Sequence, residues 1–385
     1  MNTPVTSARF LDVHILQTLP YSNVNRDDLG SPKTVTYGGT TRTRVSSQAW
    51  KRPTRKAVEE LIGEKALRTR RLPMQVSTLL NEERGWPADL AQFAGAQVVI
   101  STDSKLALDK ERDKADQATA SLLFLPMGAA GRLADIAEQH RAALEKALGT
   151  KAAGKPVLPK EAVHEVLRSR NGSIALFGRM LAEIPGAGVD GAVQVAHAFT
   201  THSTSVQGDF FTAVDDVDLW AQDAGSAHMN TAEFSSGVFY RYATIDLRDL
   251  ASNVADPDTT RELATAFVSS FINSMPNAKK TSTAPHTIPD LVHVSVRADR
   301  PVSYAAAFEK PIAPGDGGWA GPSRAALSAY AQKVCVLLGG DALLHRAYAG
   351  IDPSALDGLG DRSDSFPGLV AGAVDAAWKT QDIAA

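Results

Sequence analysis

Lysine and arginine side chains are concentrated near the start of a chain that is otherwise acidic. Residues 1–71 carry 13 Lys and Arg against 6 Asp and Glu, a net charge of +7. The whole chain is −3, so residues 72–385 carry −10. Lys and Arg neutralise phosphates and so supply most sequence-independent affinity for nucleic acid. The pattern predicts a basic face for a polyanion, although a solvated basic surface without a partner would give the same pattern.

Glycines and short polar residues accompany these cations between Asn25 and Lys56. No Asp or Glu interrupts residues 29–58. Gly38 and Gly39 allow a close approach of the backbone to a ligand. Hydroxyl and amide side chains can bond phosphate or sugar oxygens, which favours a binding surface over a merely solvated one. These polar residues are Thr40, Thr41, Thr43, Ser46, Ser47 and Gln48.

Catalytic motifs give little support for an enzyme. The sequence has no His-Glu-x-x-His pair, no Gly-x-Ser-x-Gly turn, no Walker A loop and no Gly-x-Gly-x-x-Gly that opens a helix after a strand. His197 and His202 lie five residues apart, off the spacing of a zinc-binding helix, and a structural or surface role is expected for each. Asp215, Asp216 and Asp218 could hold a cation, so a metal-dependent nuclease is the alternative to a non-enzymatic protein.

Composition and length bound the class of protein. The chain has 385 residues, enough for two or three lobes, and one cysteine, Cys335, which excludes an intramolecular disulfide framework. No apolar run is long enough for a membrane helix, and the first residues lack the apolar core of a secretory signal. We therefore expect a soluble cytoplasmic protein without a membrane partner.

Hydrophobic patterns outline the elements that must position the basic residues. A helix containing Lys51 and Arg55 is expected either to begin near residues 49–52 or to begin earlier and bend at Pro53. Residues 20–39 are rich in turn-forming types and are predicted to form a loop. Alternating patterns predict strands at 10–19, 238–247 and 291–297, and a short apolar run predicts a buried strand at 122–126. Helical periodicity predicts helices at 57–66, 132–148, 160–169, 261–275 and 323–338.

The order and spacing of several motifs resemble one family, the crRNA-binding backbone (CasC-type) subunit of the type I-E CRISPR Cascade complex. The resemblance runs to about residue 250 and is weaker within residues 57–170 and beyond residue 250. It is carried by Asn25-Arg26-Asp27-Asp28, Gly38-Gly39, Arg42-x-Arg44-Val45-Ser46-Ser47-Gln48-x-x-Lys51-Arg52, Gly178-Arg179-Met180, Ala196-His197-Ala198-x-Thr200-Thr201-His202, Phe211-Thr212-Ala213-Val214-Asp215-Asp216, Gly225-Ser226-Ala227-His228 and residues 233–242.

The resemblance implies an α+β fold and a set of partners. The fold would comprise a modified RRM-like (ferredoxin-like) palm of residues 1–56, 171–195 and 234–385, a mainly helical insertion of residues 57–170, and a protruding β-hairpin thumb of residues 196–233. Such subunits stack head to tail along one crRNA and contact other Cascade subunits, while guide bases pair with the target DNA strand. Phosphate and 2′-OH contacts would accept any guide sequence, so no cofactor or metal is implied.

Site residues also follow from the resemblance. Met180 would act as an apolar wedge against a base, with a plain core role as the alternative. The aromatic run at 239–242 fits a core as well as an RNA-stacking surface. The implied RNA-binding residues are Arg26 and Lys33 in the loop, Arg42, Arg44, Ser46, Gln48, Lys51, Arg52 and Arg55 in and beside the main cradle, Arg179 and Met180 as the base-contacting pair, and Thr201 and His202 in the thumb.

Overall fold

The computed structural model describes residues 7–109, 117–213 and 228–382. The chain divides into a sheet unit, residues 1–57, 193–248 and 264–385, and a helical unit, residues 58–192 and 249–263. The predicted α+β class is confirmed by a large, mostly antiparallel sheet accompanied by helices. The division groups residues 171–192 with the helices rather than with the sheet.

Twelve strands and twelve α-helices can be assigned in the described residues. The strands are β1 Phe10–Ser22, β2 Thr34–Tyr37, β3 Thr40–Val45, β4 Ala66–Thr69, β5 Leu123–Pro126, β6 Val193–Val195, β7 Ala198–Thr200, β8 Gln207–Ala213, β9 His228–Asp246, β10 Leu291–Arg297, β11 Leu343–Gly350 and β12 Asp361–Arg362. The helices are α1 Ser47–Leu61, α2 Leu72–Thr78, α3 Ala88–Ile100, α4 Ala129–Gln139, α5 Arg141–Ala147, α6 Lys160–Arg168, α7 Gly172–Phe177, α8 Leu247–Val254, α9 Pro257–Asn273, α10 Lys280–Thr283, α11 Ala320–Leu338 and α12 Phe366–Asp382.

Strand β1 lies at the centre of the sheet unit. It pairs antiparallel with β9 on one side and with β10 on the other. The full order is β12-β11-β10-β1-β9-β7-β3-β2, with β6 and β8 also paired to β9. Strand β10 is buried at every position, because both of its faces are covered. The predicted strands at 10–19, 238–247 and 291–297 are therefore confirmed as the middle of the sheet.

The aromatic run of β9 belongs to the core of the sheet unit. Phe239, Tyr240 and Tyr242 are all buried. The polar β1 residue His14 is buried beside them, where its Nδ1 lies 2.9 Å from the Tyr240 hydroxyl and its ring stacks on Tyr304 at 4.1 Å. Of the two interpretations of this run, the core role is the one that the structure shows.

A hairpin occupies the segment where a loop was predicted. Strands β2 and β3 pair through Tyr37 and Thr40, leaving only Gly38 and Gly39 in the turn. Both glycines have positive φ, 59° and 76°, as a tight hairpin turn requires. A Cβ on Gly38 would lie 1.6 Å from the carbonyl oxygen of Glu309. The loop prediction for residues 20–39 was wrong over 20–22, which end β1, and over 34–37, which form β2, and the close approach at Gly38 is made to the protein's own backbone.

A second hairpin extends from the sheet where the thumb was expected. Strand β8 pairs antiparallel with the first part of β9, from Gln207 opposite Phe234 to Ala213 opposite His228. Its side chains from 207 to 212 are exposed, and Phe210 is 64% accessible. At the base, Asn23 Nδ2 donates to the carbonyl oxygen of Glu233 (2.8 Å). The hairpin is thus an exposed arm fixed to the sheet at one end.

The helical unit has its own apolar core, formed mainly by α2 to α6. The strand prediction at 122–126 is confirmed as β5, which pairs with β4. Two helix predictions were wrong in part. The helix expected at 132–148 is divided into α4 and α5 at His140, whose φ of −111° and ψ of 21° leave helical geometry. The helix expected at 57–66 is the end of α1, which stops at Leu61 before β4 begins.

Candidate nucleic-acid interface

Helix α1 carries its cations on one face. Successive residues of a helix are rotated by about 100°, so positions three or four apart share a side. The side opposite the cations carries Trp50 and Thr54, which are buried. Helix α1 begins at Ser47, and Pro53 lies inside it rather than in its first turn. The cations of the exposed side, called here the α1 cationic face, are Lys51, Arg52, Arg55 and Lys56.

A buried arginine anchors the opposite side of α1 to the sheet. The Arg241 guanidinium lies 3.7 Å from the centroid of the Trp50 ring. It donates to Gln17 Oε1 at 2.6 Å and also to the carbonyl oxygen of Phe271. Burial lowers the pKa of Arg241 to about 9. Cation–π contacts gain strength when water is excluded, so this contact fixes the orientation of α1 and of its cationic face.

Polar groups from three segments meet at the first turn of α1. The backbone N–H of Ser47 donates to His197 Nδ1 (3.1 Å), and Arg44 NH1 lies 3.3 Å from the same nitrogen. The backbone N–H of Ser46 donates to Asn25 Oδ1 (2.7 Å). The first turn of α1 contains no acidic residue. Because a helix N-terminus carries partial positive charge, this arrangement attracts anions. The α1-start cluster is Asn25, Lys33, Arg44, Ser46, Ser47, Gln48 and His197.

Strand pairing explains why these distant residues meet. Val45 at the end of β3 pairs with Ala198 at the start of β7, which brings His197 beside the first turn of α1. The backbone N–H of Arg44 donates to the carbonyl oxygen of Lys33 (2.7 Å), so the segment before β2 joins the same place. His197 had been expected to have only a structural or surface role. Its position beside α1 follows from the pairing of Ala198 with Val45, and the local sequence does not reveal that pairing.

The loop that leads into the cluster is ordered by its own side chains. Asp27 Oδ1 accepts the backbone N–H groups of Leu29 (3.0 Å) and Ser31 (2.9 Å), which is a typical turn-forming use of aspartate. Arg26 forms an isolated bridge with Pro32 and its side chain is exposed. Arg26 therefore lies on the same ordered loop as Lys33, as the motif implied.

Electrostatics around His197 favour its neutral form. Burial lowers the pKa of His197, and the positive charges of Arg44 and Lys33 lower it further.

Ser46 is largely buried, and its Oγ accepts the backbone N–H of Ala49 (3.3 Å) as the helix N-cap. The hydroxyl predicted to bind RNA therefore has a capping role in the structure.

Arg42, two residues before Arg44, is fully buried. Its guanidinium donates to the carbonyl oxygens of Thr200 (2.8 Å), Phe308 (3.0 Å) and Glu309 (3.2 Å). Burial lowers the pKa of Arg42. These contacts connect β3 to β7 and to the 308–309 segment, so the structure gives Arg42 a structural role.

Thr201 and His202 are buried between β7 and the β8–β9 hairpin. Thr201 Oγ1 lies 2.8 Å from Ser323 Oγ. His202 Nε2 accepts the backbone N–H of Val238 (3.1 Å), its Nδ1 lies 2.9 Å from the carbonyl oxygen of Ser203, and its ring stacks on Trp319 at 4.1 Å. The resemblance assigned Thr201 and His202 to RNA contact, whereas the structure buries both and gives their side chains partners within the protein.

Arg179 and Met180 differ sharply although they are neighbours in the helical unit. The Arg179 guanidinium is buried and donates to four carbonyl oxygens, and burial with nearby Arg170 lowers its pKa to about 10. Met180 is 93% exposed, beside an open cleft of about 890 Å³. The core interpretation of Met180 is therefore excluded. The four carbonyl acceptors are those of Ala187, Phe124, Ser169 and Arg168.

No cluster of three or more His, Cys, Asp or Glu suited to a metal ion occurs within residues 7–109, 117–213 and 228–382. The carboxylates proposed for a nuclease, Asp215, Asp216 and Asp218, lie outside the described residues. In the part of the chain that the structure describes, every helix is too short or too polar to cross a membrane.

Comparison with known proteins identifies the family of this chain. The CT1975-like protein family matches residues 11–364. The chain belongs to that family. Among solved structures, it is similar to a chain of a "CRISPR RNA-guided surveillance complex, pre-nicking", with 48% identity, a TM-score of 0.91, and coverage of 96% of this chain and 100% of that chain. A chain of a "CRISPR RNA-guided surveillance complex" shows 43% identity, a TM-score of 0.81 and the same coverage. No match was found among curated proteins.

These comparisons confirm the coarser part of the sequence resemblance. This CT1975-like protein is a relative of subunits of CRISPR RNA-guided surveillance complexes over nearly its whole length, including residues 57–170 and those beyond 250, where the motifs were weaker.

Proposed function

We propose that this CT1975-like protein is the crRNA-binding backbone subunit of a type I-E CRISPR surveillance complex. The α1 cationic face and the α1-start cluster would hold the guide through its sugar-phosphate backbone. One observation carries the proposal. The exposed side of α1 has four cations, and the first turn of the same helix has no acidic residue. The support from relatedness is the 48% identity to a subunit of an RNA-guided complex.

Backbone contacts suit a protein that must accept guides of any sequence. Phosphate oxygens offer the same acceptors at every nucleotide, whereas contacts to base edges would restrict the sequence. The backbone N–H groups of Ser46 and Ser47 already donate within the protein, but the cluster supplies cations and short polar side chains, which are groups that bind phosphate. Base pairing between guide and target DNA would then provide the sequence recognition.

The exposed parts of both units fit further features of such a subunit. Met180 would act as the wedge against a displaced base, since apolar side chains that separate stacked bases must be accessible. The β8–β9 hairpin would be the thumb that reaches the RNA on the next copy. The sheet around β1 would be the RRM-like palm, and head-to-tail copies would form a cytoplasmic, non-enzymatic filament with other Cascade subunits.

Charge reversal on α1 tests the proposal directly. Lys51→Glu with Arg55→Glu replaces two cations of the face by anions. Lys333→Glu with Lys379→Glu makes the same change of net charge at exposed positions on α11 and α12 and serves as the matched control. We expect the α1 variant to lose affinity for single-stranded guide RNA at least about tenfold, because two phosphate contacts become repulsive, and the control to lose much less. Fluorescence anisotropy measures both.

Two outcomes would contradict the proposal. Equal losses in the two variants would mean that net charge, rather than the α1 cationic face, determines binding. Cleavage of the RNA on addition of Mg²⁺, abolished by Asp215→Ala, would instead establish the nuclease alternative.

A further inference from the structure

The bonding of His197 determines which of its nitrogens carries the proton. The backbone N–H of Ser47 and the guanidinium of Arg44 both approach Nδ1, at 3.1 and 3.3 Å. A backbone amide and a guanidinium can only donate, so Nδ1 must offer a lone pair. The ring proton of neutral His197 then resides on Nε2.

The surroundings of His197 favour this neutral state. The positive charges of Arg44 on β3 and of Lys33 on the segment before β2 both oppose a charged ring. Protonation of Nδ1 would also break the bond from the Ser47 N–H. The His197 side chain is exposed, so its outer edge is accessible beside the start of α1.

We propose that His197 binds a backbone oxygen of the guide RNA through its Nε2–H, as a neutral hydrogen-bond donor in the α1-start cluster. This inference rests on the proposed function and adds a residue that the sequence had assigned only a structural or surface role. A third positive charge beside Arg44 and Lys33 would raise their mutual repulsion. A neutral donor adds a directed bond to a phosphate or 2′-OH oxygen without that repulsion.

Asparagine and glutamine separate the two nitrogens of His197. The Asn Oδ1 takes the place of Nδ1, so His197→Asn keeps the acceptor for the Ser47 N–H and loses the outward donor. The Gln side-chain nitrogen takes the place of Nε2, so His197→Gln keeps the outward donor and loses the inner acceptor. His286→Ala, at an exposed histidine elsewhere in the sheet unit, is the control.

The two variants are expected to diverge in opposite directions. His197→Asn should keep the melting temperature and lose guide affinity about tenfold, the value of one hydrogen bond to a charged acceptor. His197→Gln should lower the melting temperature and keep most of the affinity. In His197→Asn the slope of log K against log salt should be unchanged, because the lost contact is neutral, whereas a lost cationic contact would reduce it by about 0.7. A 2′-deoxy strand identifies the acceptor, since the loss persists there only for a phosphate oxygen.

Unchanged guide affinity in His197→Asn, with steep salt-dependent binding by the wild type and by His286→Ala, would overturn this inference and leave the proposed function intact. A reduced salt slope in His197→Asn would also overturn it, because the ring would then be a cation. If the wild type itself fails to bind guide RNA at low salt, the proposed function fails first.

Discussion

Arg42 and Arg44 lie two residues apart on β3, and the fold uses them differently. Arg42 is enclosed by β7 and the 308–309 segment. Its guanidinium donates to carbonyl oxygens of those two segments and to the hydroxyl of Thr40. Arg44 is half-buried at the start of α1, where it contacts His197. One arginine therefore stabilises the sheet unit, and the other lies where the proposed function would need a contact to phosphate.

Glutamine substitutions should separate these two roles. Arg42→Gln is expected to lower the free energy of unfolding by about 2 kcal/mol or more, because three buried carbonyl groups lose donors. Arg44→Gln should change stability by less than about 0.5 kcal/mol but reduce the salt slope of guide binding by about 0.7, the value of one phosphate contact. Urea denaturation and anisotropy measure the two effects. The assignment of roles is wrong if Arg42→Gln stays stable and alone reduces the slope.

Sequence alone could identify the basic segment but not sort its members. Arg42 and Arg44 lie in one polar motif of that segment, yet Arg42 is buried, and the same holds for Arg179 in the later Gly-Arg-Met motif; both buried guanidinium groups donate to backbone carbonyls. Their acceptors lie up to 267 positions away in the chain, at Glu309. Motif position could therefore predict the site only to the level of the segment, because burial depends on contacts with distant parts of the chain.

His293 gives the sheet unit a pH-dependent stability. It is fully buried, and its Nδ1 lies 2.9 Å from the carbonyl oxygen of Ala347. Burial is the main cause that lowers the pKa of His293 from 6.5 to about 4, and Arg346 and His345 add to it. As the pH falls from 6.5 towards 4, the unfolded chain binds a proton that the folded chain does not. The contribution of His293 is thus fully present above pH 6.5 and is lost below it.

His293→Asn keeps a donor for Ala347 but does not titrate. Between pH 7 and pH 5, the wild type should lose about 2 kcal/mol of unfolding free energy more than this variant. Asp12, whose pKa burial raises to about 6, acts in the opposite sense between pH 3.8 and 6, and it is present in both proteins. The comparison therefore isolates His293. Urea denaturation at the two pH values would refute the assignment if both proteins lost equal stability.

At the scale of elements, the β2–β3 hairpin connects the basic segment to the rest of the sheet unit. Its two-residue turn places Gly38 against the backbone of Glu309. The carbonyl oxygens of Phe308 and Glu309 are also acceptors for Arg42. The turn and the buried arginine therefore fix the same segment, and a change at one affects the other.

Alanine at the two turn glycines should have unequal effects. Both positions have positive φ, so each substitution costs about 1–2 kcal/mol in backbone strain. An added Cβ at Gly39 has no atom within 4 Å, whereas at Gly38 it would lie 1.6 Å from Glu309 O. Gly38→Ala should therefore destabilise by about 3 kcal/mol or more in total, because the 308–309 segment must move. Thermal denaturation showing equal costs would contradict this packing.

Some elements could be predicted from the sequence because their residue types are those typical of buried strands. Strand β10 is rich in β-branched residues, and both of its faces are covered. The β2–β3 hairpin was missed because its glycines and all of its threonines except Thr43 are exposed or half-exposed, and its residue types resemble those of a loop. The break at His140 was missed because the apolar period continues from α4 into α5.

At the scale of the whole molecule, charge is distributed to favour one binding surface. Residues 1–71 carry +7, and the remaining residues carry −10. An acidic remainder repels nucleic acid from most of the surface, so the α1 cationic face and the α1-start cluster should be where the guide binds. If those groups contact the sugar-phosphate backbone of the guide as proposed, affinity should depend on salt and not on guide sequence.

The most direct test is the affinity of the purified chain for two guide RNAs of unrelated sequence, measured by anisotropy over a range of salt concentrations. The account predicts affinities equal within about threefold and a slope of log K against log salt of about −3 or steeper, as expected when four or more phosphates are neutralised. A flat salt dependence, or a preference for one sequence exceeding about tenfold, would contradict a sugar-phosphate grip by this surface.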